Sequence, residues 1–280
     1  RDMLDYNMPN LLDSCGECIE EEKANLESLR LRFQKKVHNG PYKIGYINWL
    51  DIRPSNLCNL KCIICSAGSS SMIAKEEKKY YKNIPLDDLY NIDFTHLKML
   101  KVLGGEPTLQ GNALELIDHI AKKTTMCDLQ ITSNGTNVNH KLIEKFLLFE
   151  NVYYNLSIDG TDEVFNYIRK NANWKAVLEN IYYLKKFAGN NKNFQLSLHC
   201  TIGAVSFLTI DKWIDEYINL DIPSKFYLAQ GNRHSVKAVP EKYKKSIVSF
   251  LRSKGHKYTE RVIKLVSACD FDPQAYLAFK

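Results

Sequence analysis

The strongest constraint on the fold is a repeated alternation of short apolar runs with amphipathic stretches, beginning near residue 48. The runs at 48–53, 97–103, 128–132, 153–158, 194–201 and 225–228 read as strands. Between them, residues 70–82, 112–123, 140–149, 174–188 and 206–220 carry apolar side chains at helical spacing. In the last of these, Phe207, Ile210, Trp213, Ile214 and Tyr217 form one stripe. A strand followed by a helix, repeated along the chain, predicts parallel neighbours, because parallel strands need long crossover connections. Right-handed crossovers in series curl such a sheet into an open or closed barrel. In barrels of this kind the sites gather at the carboxyl ends of the strands.

The loop after the first strand, residues 55–66, reads SNLCNLKCIICS and holds Cys58, Cys62 and Cys65 in a C-x3-C-x2-C spacing. Thiolates are the usual ligands of iron–sulfur clusters, and four are needed to fill a 4Fe–4S cube. Three leave one iron open, and an open iron beside an organic cofactor is a reaction site. The other readings are a zinc knot and three unrelated buried cysteines. Zinc sites usually pair C-x2-C with a second such pair or with histidines, and no fourth ligand lies close by in the sequence.

Three further turns follow strand ends. Residues 103–107 read LGGEP, where Gly104 and Gly105 let backbone approach a ligand closely and Glu106 offers an acceptor for an ammonium. Residues 132–136 read TSNGT, a polar turn that turn chemistry alone also explains. Residues 157–160 read SIDG, so Ser157 and Asp159 share a strand face. Arg169 lies a short way beyond.

The cysteine triplet followed by GGEP resembles the radical S-adenosylmethionine (SAM) superfamily. That resemblance implies an α/β fold, a partial (β/α)6 TIM-like barrel with the cluster loop after its first strand. It implies a 4Fe–4S cluster on Cys58, Cys62 and Cys65, whose open iron is chelated by SAM. An electron then yields a 5′-deoxyadenosyl radical that abstracts hydrogen from substrate, with a flavodoxin- or ferredoxin-like reductant as partner. The GGE motif maps onto Gly104, Gly105 and Glu106, which would hold the amino group of SAM. Ser133 and Asn134 resemble a T-x-N-G turn beside the SAM pocket. The S-x-D-G…R pattern of sulfatase-maturase-type members maps onto Ser157, Asp159 and Arg169. Hydroxyl and carboxylate suit ribose hydroxyls, and a guanidinium suits the methionine carboxylate through a bidentate fork. A surface helix residue is the other reading of Arg169.

Residues 1–40 do not share the barrel pattern. Cys15 and Cys18 open a helix in which Leu26, Leu29, Phe33 and Val37 recur at helical spacing. A C-x2-C is half of a metal site, and a pair of small buried residues accounts for it equally. The segment resembles the linker of members with a twitch or SPASM-like auxiliary cluster. It then implies that Cys15 and Cys18 hold half of a second iron–sulfur cluster, with partner ligands upstream. The expected organisation is a linker segment at 1–40, the core barrel at 44–235 and a C-terminal helical extension at 236–280, with helices at 241–253 and 258–268. Both ends read as cut, so a lost leader stays open.

The net charge of +6 is spread along the chain. Its densest basic stretches, 75–82 and 242–254, have helical spacing and read as solvated faces rather than a nucleic-acid patch. No run of about 18 apolar residues exists to span a membrane. Eight cysteines in a chain of 280 residues without a signal peptide argue for a reducing compartment, hence the cytoplasm. Cys127, Cys200 and Cys269 read as small buried apolar residues without chemistry, and the lone histidines His96, His119 and His140 read the same way. A cysteine that quenches or relays a radical is the sharper alternative. His234 and Arg233 sit in a loop after the last strand. The auxiliary-cluster resemblance favours a peptide or protein substrate. A nucleoside or other small molecule is the second enzymatic reading, and a non-catalytic iron–sulfur or zinc scaffold or electron carrier is the third.

Overall fold

Six parallel strands lie side by side in the order in which the chain makes them. The computed structural model describes Leu31 and residues 45–81, 83–124, 126–229 and 234–279. Numbered along the chain, the strands are β1 (Trp49–Ile52), β2 (Lys61–Cys62), β3 (Met99–Val102), β4 (Asp128–Ser133), β5 (Val152–Ser157), β6 (Arg169–Lys170), β7 (Phe194–Ile202) and β8 (Ser224–Leu228). The main sheet runs β1-β3-β4-β5-β7-β8, with every pairing parallel, and β1 and β8 form its edges. The expected α/β architecture is therefore present as an open parallel sheet. A separate antiparallel ladder joins β2 to β6, pairing Cys62 with Arg169.

The helices are α1 (Ser71–Glu76), α2 (Gly111–Lys123), α3 (His140–Phe146), α4 (Asp162–Ile168), α5 (Trp174–Asn190), α6 (Ala204–Leu208), α7 (Ile210–Asn219), α8 (Glu241–Lys254), α9 (Lys257–Ser267) and α10 (Pro273–Phe279). They cover one face of the sheet. Leu50, Leu100, Leu129, Val152 and Phe194 stand in one row across five strands, and Ile52, Val102, Ile131, Tyr154 and Leu196 in the next. These rows meet helix side chains: Phe187 of α5 lies edge-on to Phe194, with ring centroids 5.0 Å apart, and Tyr217 of α7 packs on Phe226.

The opposite face is polar. Asp51, Lys101, Gln130, Tyr153 and Gln195 form one row, and further along Ser157, His199 and Lys225 form another. Along β7, Gln195 is exposed and Ser197, His199 and Thr201 are half-buried, while the alternate residues are buried. Parallel sheets usually read apolar on both faces because both are covered by helices. Among the described residues, helices cover only one.

Several expected elements change their limits. The stretch 70–82 forms only the six-residue α1, after which Lys78 adopts a left-handed φ of 53°. The stretch 206–220 breaks into α6 and α7 at Thr209. The ladder of β2 and β6, the helix α4 and a short 3-10 turn at Pro107–Leu109 were not expected. Trp49–Lys280 forms one compact unit, so α8, α9 and α10 belong with the sheet. The expected linker at 1–40, with Cys15 and Cys18, lies outside the described residues, as does Arg233. No helix among the described residues is long and apolar enough to cross a membrane.

Candidate functional site

The cysteine loop is held by the turns that follow β3, β4 and α4. Gly105 donates its N–H to the Ser55 carbonyl at 3.0 Å, and Glu106 donates to the Leu57 carbonyl at 2.7 Å. Asn59 reaches Thr136 Oγ1 at 2.8 Å, and Asn134 returns a bond to Asn59 Oδ1 at 2.9 Å. Ile63 N–H bonds to the Ile168 carbonyl at 2.9 Å, next to the Cys62–Arg169 ladder pair. On the far side, Ser71 N–H bonds to the Asn56 carbonyl at 2.6 Å, and Ser70 Oγ donates to the Leu60 carbonyl at 2.6 Å. The carboxyl ends of β3, β4 and the helix α4 thus converge on one loop.

The two glycines of LGGEP serve this contact. A Cβ on Gly104, at φ 122°, would stand 2.7 Å from the Ser55 carbonyl oxygen, and one on Gly105 would stand 2.1 Å from that of Leu57. The backbone that approaches them in this structure is that of the cysteine loop itself, which a side chain at either position would push away.

Glu106 joins the two turns. It is 0 % exposed, and its carboxylate is engaged on both oxygens. Oε1 accepts from Ser133 Oγ at 2.8 Å and from Thr108 Oγ1 at 2.8 Å, and Oε2 accepts from Asn134 N–H at 2.6 Å. Burial pushes its pKa up, and these donors pull against that shift. A buried carboxylate must be paired, so Glu106 knits the turn after β3 to the turn after β4 instead of standing free at the mouth. Ser133 and Asn134 are brought to it, as the sequence suggested, whereas Thr108 was missed. A buried threonine two residues past the glutamate gives no motif to find it by.

Ser157 is half-buried on the polar face, level with His199. Asp159 is fully buried, with Oδ1 accepting from Thr201 N–H at 2.8 Å and Oδ2 lying 2.7 Å from Arg169 NH2. Arg169 is 7 % exposed and is not a surface helix residue. It closes α4, enters β6, and directs NH1 at Cys62 Sγ from 3.9 Å. The expected ribose carboxylate and carboxylate-binding fork are thus held against each other. Two opposite charges out of water stabilise one another more than either can stand alone.

Cys58, Cys62 and Cys65 are free thiols. The Cys65 thiol hydrogen-bonds to Cys62 and, with the Arg169 charge and against the cost of burial, brings Cys62 down to about 7. Cys65, as the donor of that bond, is pushed up. Burial pushes Cys58 up as well. Among the described residues, no three His, Cys, Asp or Glu converge as they would on a single metal ion. Three thiol donors, one of them readily ionised and facing a guanidinium, fit a thiolate-bound cluster, which has a separate iron for each.

A cavity of about 340 Å³ opens beside Cys62 and Cys65, lined also by Lys61, Tyr167, Val205 and His234. A neighbouring one of about 440 Å³, between α4 and α6, is lined by Val164, Tyr167, Val205 and Leu208 and reaches no thiol. The chemistry lies with the smaller cavity. His199 faces the polar side of the sheet, with its Nε2 buried and without a hydrogen-bond partner among the described residues. Cys127 and Cys200 are buried core residues, as expected.

Comparison with known proteins places these observations. Residues 52–202, more than half the chain, match the Radical SAM superfamily. An uncharacterized protein of Methanocaldococcus jannaschii, MJ0907, is 31% identical over 151 residues, which is 49% of each chain. A GTP 3′,8-cyclase of Syntrophomonas wolfei is 26% identical over 141 residues, 49% of this chain and 42% of that protein. The chain thus spans about half, or less, of the length of these curated relatives. Among solved structures, anSMEcpe with bound AdoMet superposes with a TM-score of 0.56 at 19% identity, covering 74% of this chain and 59% of that one. SuiB of Streptococcus suis, bound to the precursor peptide SuiA, gives a TM-score of 0.52 at 15% identity, covering 88% and 59%. Such identities speak for the fold.

Proposed function

Because the chain belongs to the radical SAM superfamily, we propose that it cleaves SAM reductively at a 4Fe–4S cluster held by Cys58, Cys62 and Cys65, for hydrogen abstraction from a peptide or protein. The observation that carries this reading is the clasp between loop and turn, in which Gly105 and Glu106 bind the backbone of the cysteine loop at 3.0 and 2.7 Å. A bare metal knot has no need of a GGE turn seated against it. When bound, the cluster supplies the electron that splits the sulfonium of SAM into methionine and a 5′-deoxyadenosyl radical.

The chain's own residues would then do the rest. The three thiols hold the cluster and leave one iron for SAM. Glu106, with Ser133, Asn134 and Thr108, fixes the wall of the SAM pocket. Gly104 and Gly105 set the distance between that wall and the loop. Ser157, half-buried on the polar face, offers a hydroxyl to SAM, and Asp159 and Arg169 support the same corner. The polar face, with Gln130, Tyr153, His199 and Lys225, offers donors and acceptors to a substrate.

A peptide substrate is supported by the likeness to SuiB, which binds a precursor peptide, and by an open sheet that gives extended chains room. A nucleotide is the second reading, favoured by the similarity to GTP 3′,8-cyclases. The twitch-like resemblance of residues 1–40 supports an auxiliary cluster on Cys15 and Cys18. A flavodoxin- or ferredoxin-like protein would supply electrons, and a cluster of this kind suits the reducing cytoplasm.

The test uses protein reconstituted with iron and sulfide without oxygen, reduced with dithionite and given SAM. 5′-Deoxyadenosine should form in the wild type and vanish in Cys62→Ala. About four irons per chain would mean one cluster, and about eight would mean a second on Cys15 and Cys18. An intact, reducible cluster without deoxyadenosine would replace this reading with an electron carrier or scaffold.

A further inference from the structure

Helix α1 ends in a way that a lysine does not favour. Lys78 stands at φ 53°, just past the C-cap Glu77, and Lys79 N–H closes back onto the Ala74 carbonyl at 2.8 Å. Such a closure is common at helix ends, and its left-handed position usually goes to glycine, which has no Cβ to strain it. Here the position carries a cation instead. The turn then sends the chain back along the cysteine loop. Tyr81 lies against Gly68, where a Cβ would stand 3.6 Å from its ring, and Ile84 N–H bonds to the Pro54 carbonyl at 2.8 Å.

Every residue from 75 to 81 is exposed, Tyr80 to 89 %, and so are Ile84 and, on the loop itself, Leu57. Large apolar side chains gathered on a surface mark contact sites. The two glutamates of the stretch are already met, Glu76 by Lys61 and Glu77 by Lys79. Lys75 and Lys78 face no carboxylate among the described residues, which leaves the patch net positive. It also borders the most accessible thiol. Cys65 is exposed while Cys62 is buried, and Oγ of the adjoining Ser66 lies 3.7 Å from the same Gly68 position. Helix α1 itself walls the thiol cavity with Ile73 and Glu76.

We infer that Leu57, Lys75, Lys78, Tyr80, Tyr81 and Ile84 form the docking surface for an acidic electron-carrier protein, which delivers its electron at the Cys65 edge. This rests on the proposed cluster and names the face from which that cluster is reduced. In the step, one electron leaves the reduced carrier and enters the cluster, the carrier is oxidised by one electron, and no atom moves. The lysines without carboxylate partners steer an acidic protein to the patch. The aromatic and aliphatic side chains supply the apolar centre of the contact. The strain at Lys78 then has a reason, because the cation stands where the carrier arrives.

The experiment measures 5′-deoxyadenosine from the reconstituted full chain and SAM under two kinds of reductant. One arm uses dithionite, which needs no docking. The other uses a limiting reduced carrier, either an acidic flavodoxin with its NADPH-dependent reductase or an acidic 2Fe–2S ferredoxin. Lys75→Glu combined with Lys78→Glu should lower the carrier-driven rate about tenfold or more. Tyr80→Ser should lower it several-fold, and the dithionite-driven rate should hold in both. Added salt should slow the wild type with carrier and leave the double variant little changed. Lys78→Gly separates docking from folding, because glycine relieves the turn. It should raise the midpoint of urea unfolding while lowering the carrier-driven rate, whereas a merely structural residue would move both the same way. Equal carrier-driven rates in wild type and variants, or an equal loss with dithionite, would overturn the inference. So would a wild type that works with dithionite and with neither carrier. A dimer that Tyr80→Ser dissolves, with carrier-driven turnover unchanged, would give the face to a second copy of this chain. A wild type that yields no deoxyadenosine with dithionite would instead defeat the proposed function, and this inference with it.

Discussion

A single methyl group measures how closely two motifs are joined. Added at Gly105, it would stand 2.1 Å from the Leu57 carbonyl oxygen and 2.5 Å from its carbon, both backbone atoms that cannot swing aside. Gly105→Ala is expected to cost about 1–3 kcal/mol, the usual range for forced overpacking. Urea unfolding of the protein without metal should show it, together with faster loss of iron from the reconstituted form. Unchanged stability and iron retention would mean that the loop yields easily. The glycine pair and the cysteine triplet were both legible in the sequence, but their contact was not. Neither motif says that its partner is a peptide carbonyl. The same holds for Glu106, whose three donor residues come from two different turns. Arg169 was legible as a residue of interest, but its contacts with Asp159 and Cys62 were not, because spacing along a chain does not say which of two nearby charges will meet it.

At the level of the elements, the alternation of strands and helices was readable because apolar periodicity is a property of each segment alone. Its limits were less so. Residues 70–82 have helical charge spacing, yet the chain leaves α1 after Glu76 and turns through Lys78. A run of charges suits either outcome, so nothing in it marks the stop. The break between α6 and α7 comes where Thr209 Oγ1 bonds the Val205 carbonyl and the Trp213 indole takes the Ser206 carbonyl. Those side chains satisfy backbone groups that a continuous helix would have used, and a continuous apolar stripe conceals it. The ladder of β2 and β6 is two residues long and has no sequence signal at all. Helix α1 ties its own start to the cysteine loop. Ser70 Oγ caps Ile73 N–H at 3.4 Å while donating to the Leu60 carbonyl at 2.6 Å. Ser70→Ala is expected to lower stability by about 1–2 kcal/mol. Iron should also leave the reconstituted variant sooner than the wild type under chelator, and identical release rates would separate the cap from the loop.

For the molecule as a whole, the polar face brings a cost in acid. Burial, with the Lys225 charge adding to it, brings His199 down to about 4. In the unfolded chain the same group takes up its proton near pH 6.5. Between those values the unfolded state binds more protons, so stability rises with pH across this window and is lost as pH falls from about 6.5 toward 4. His199 is half-buried, so solvent screens part of the effect, leaving about 1 kcal/mol between pH 7 and pH 5. His199→Gln should flatten that part of the curve of unfolding free energy against pH, while a curve parallel to the wild type would assign the acid sensitivity elsewhere.

The paired thiols of Cys62 and Cys65 carry a different kind of consequence, one of timing. Two cysteines that share a hydrogen bond, one titrating near 7 and the other exposed, are suited to attack on each other once an oxidant withdraws two electrons. The order in which the newly made protein meets metal and oxygen then decides its fate. On the proposed reading, metal first would fill the loop, and oxygen first would give a Cys62–Cys65 disulfide that no iron can enter until a thiol reopens it.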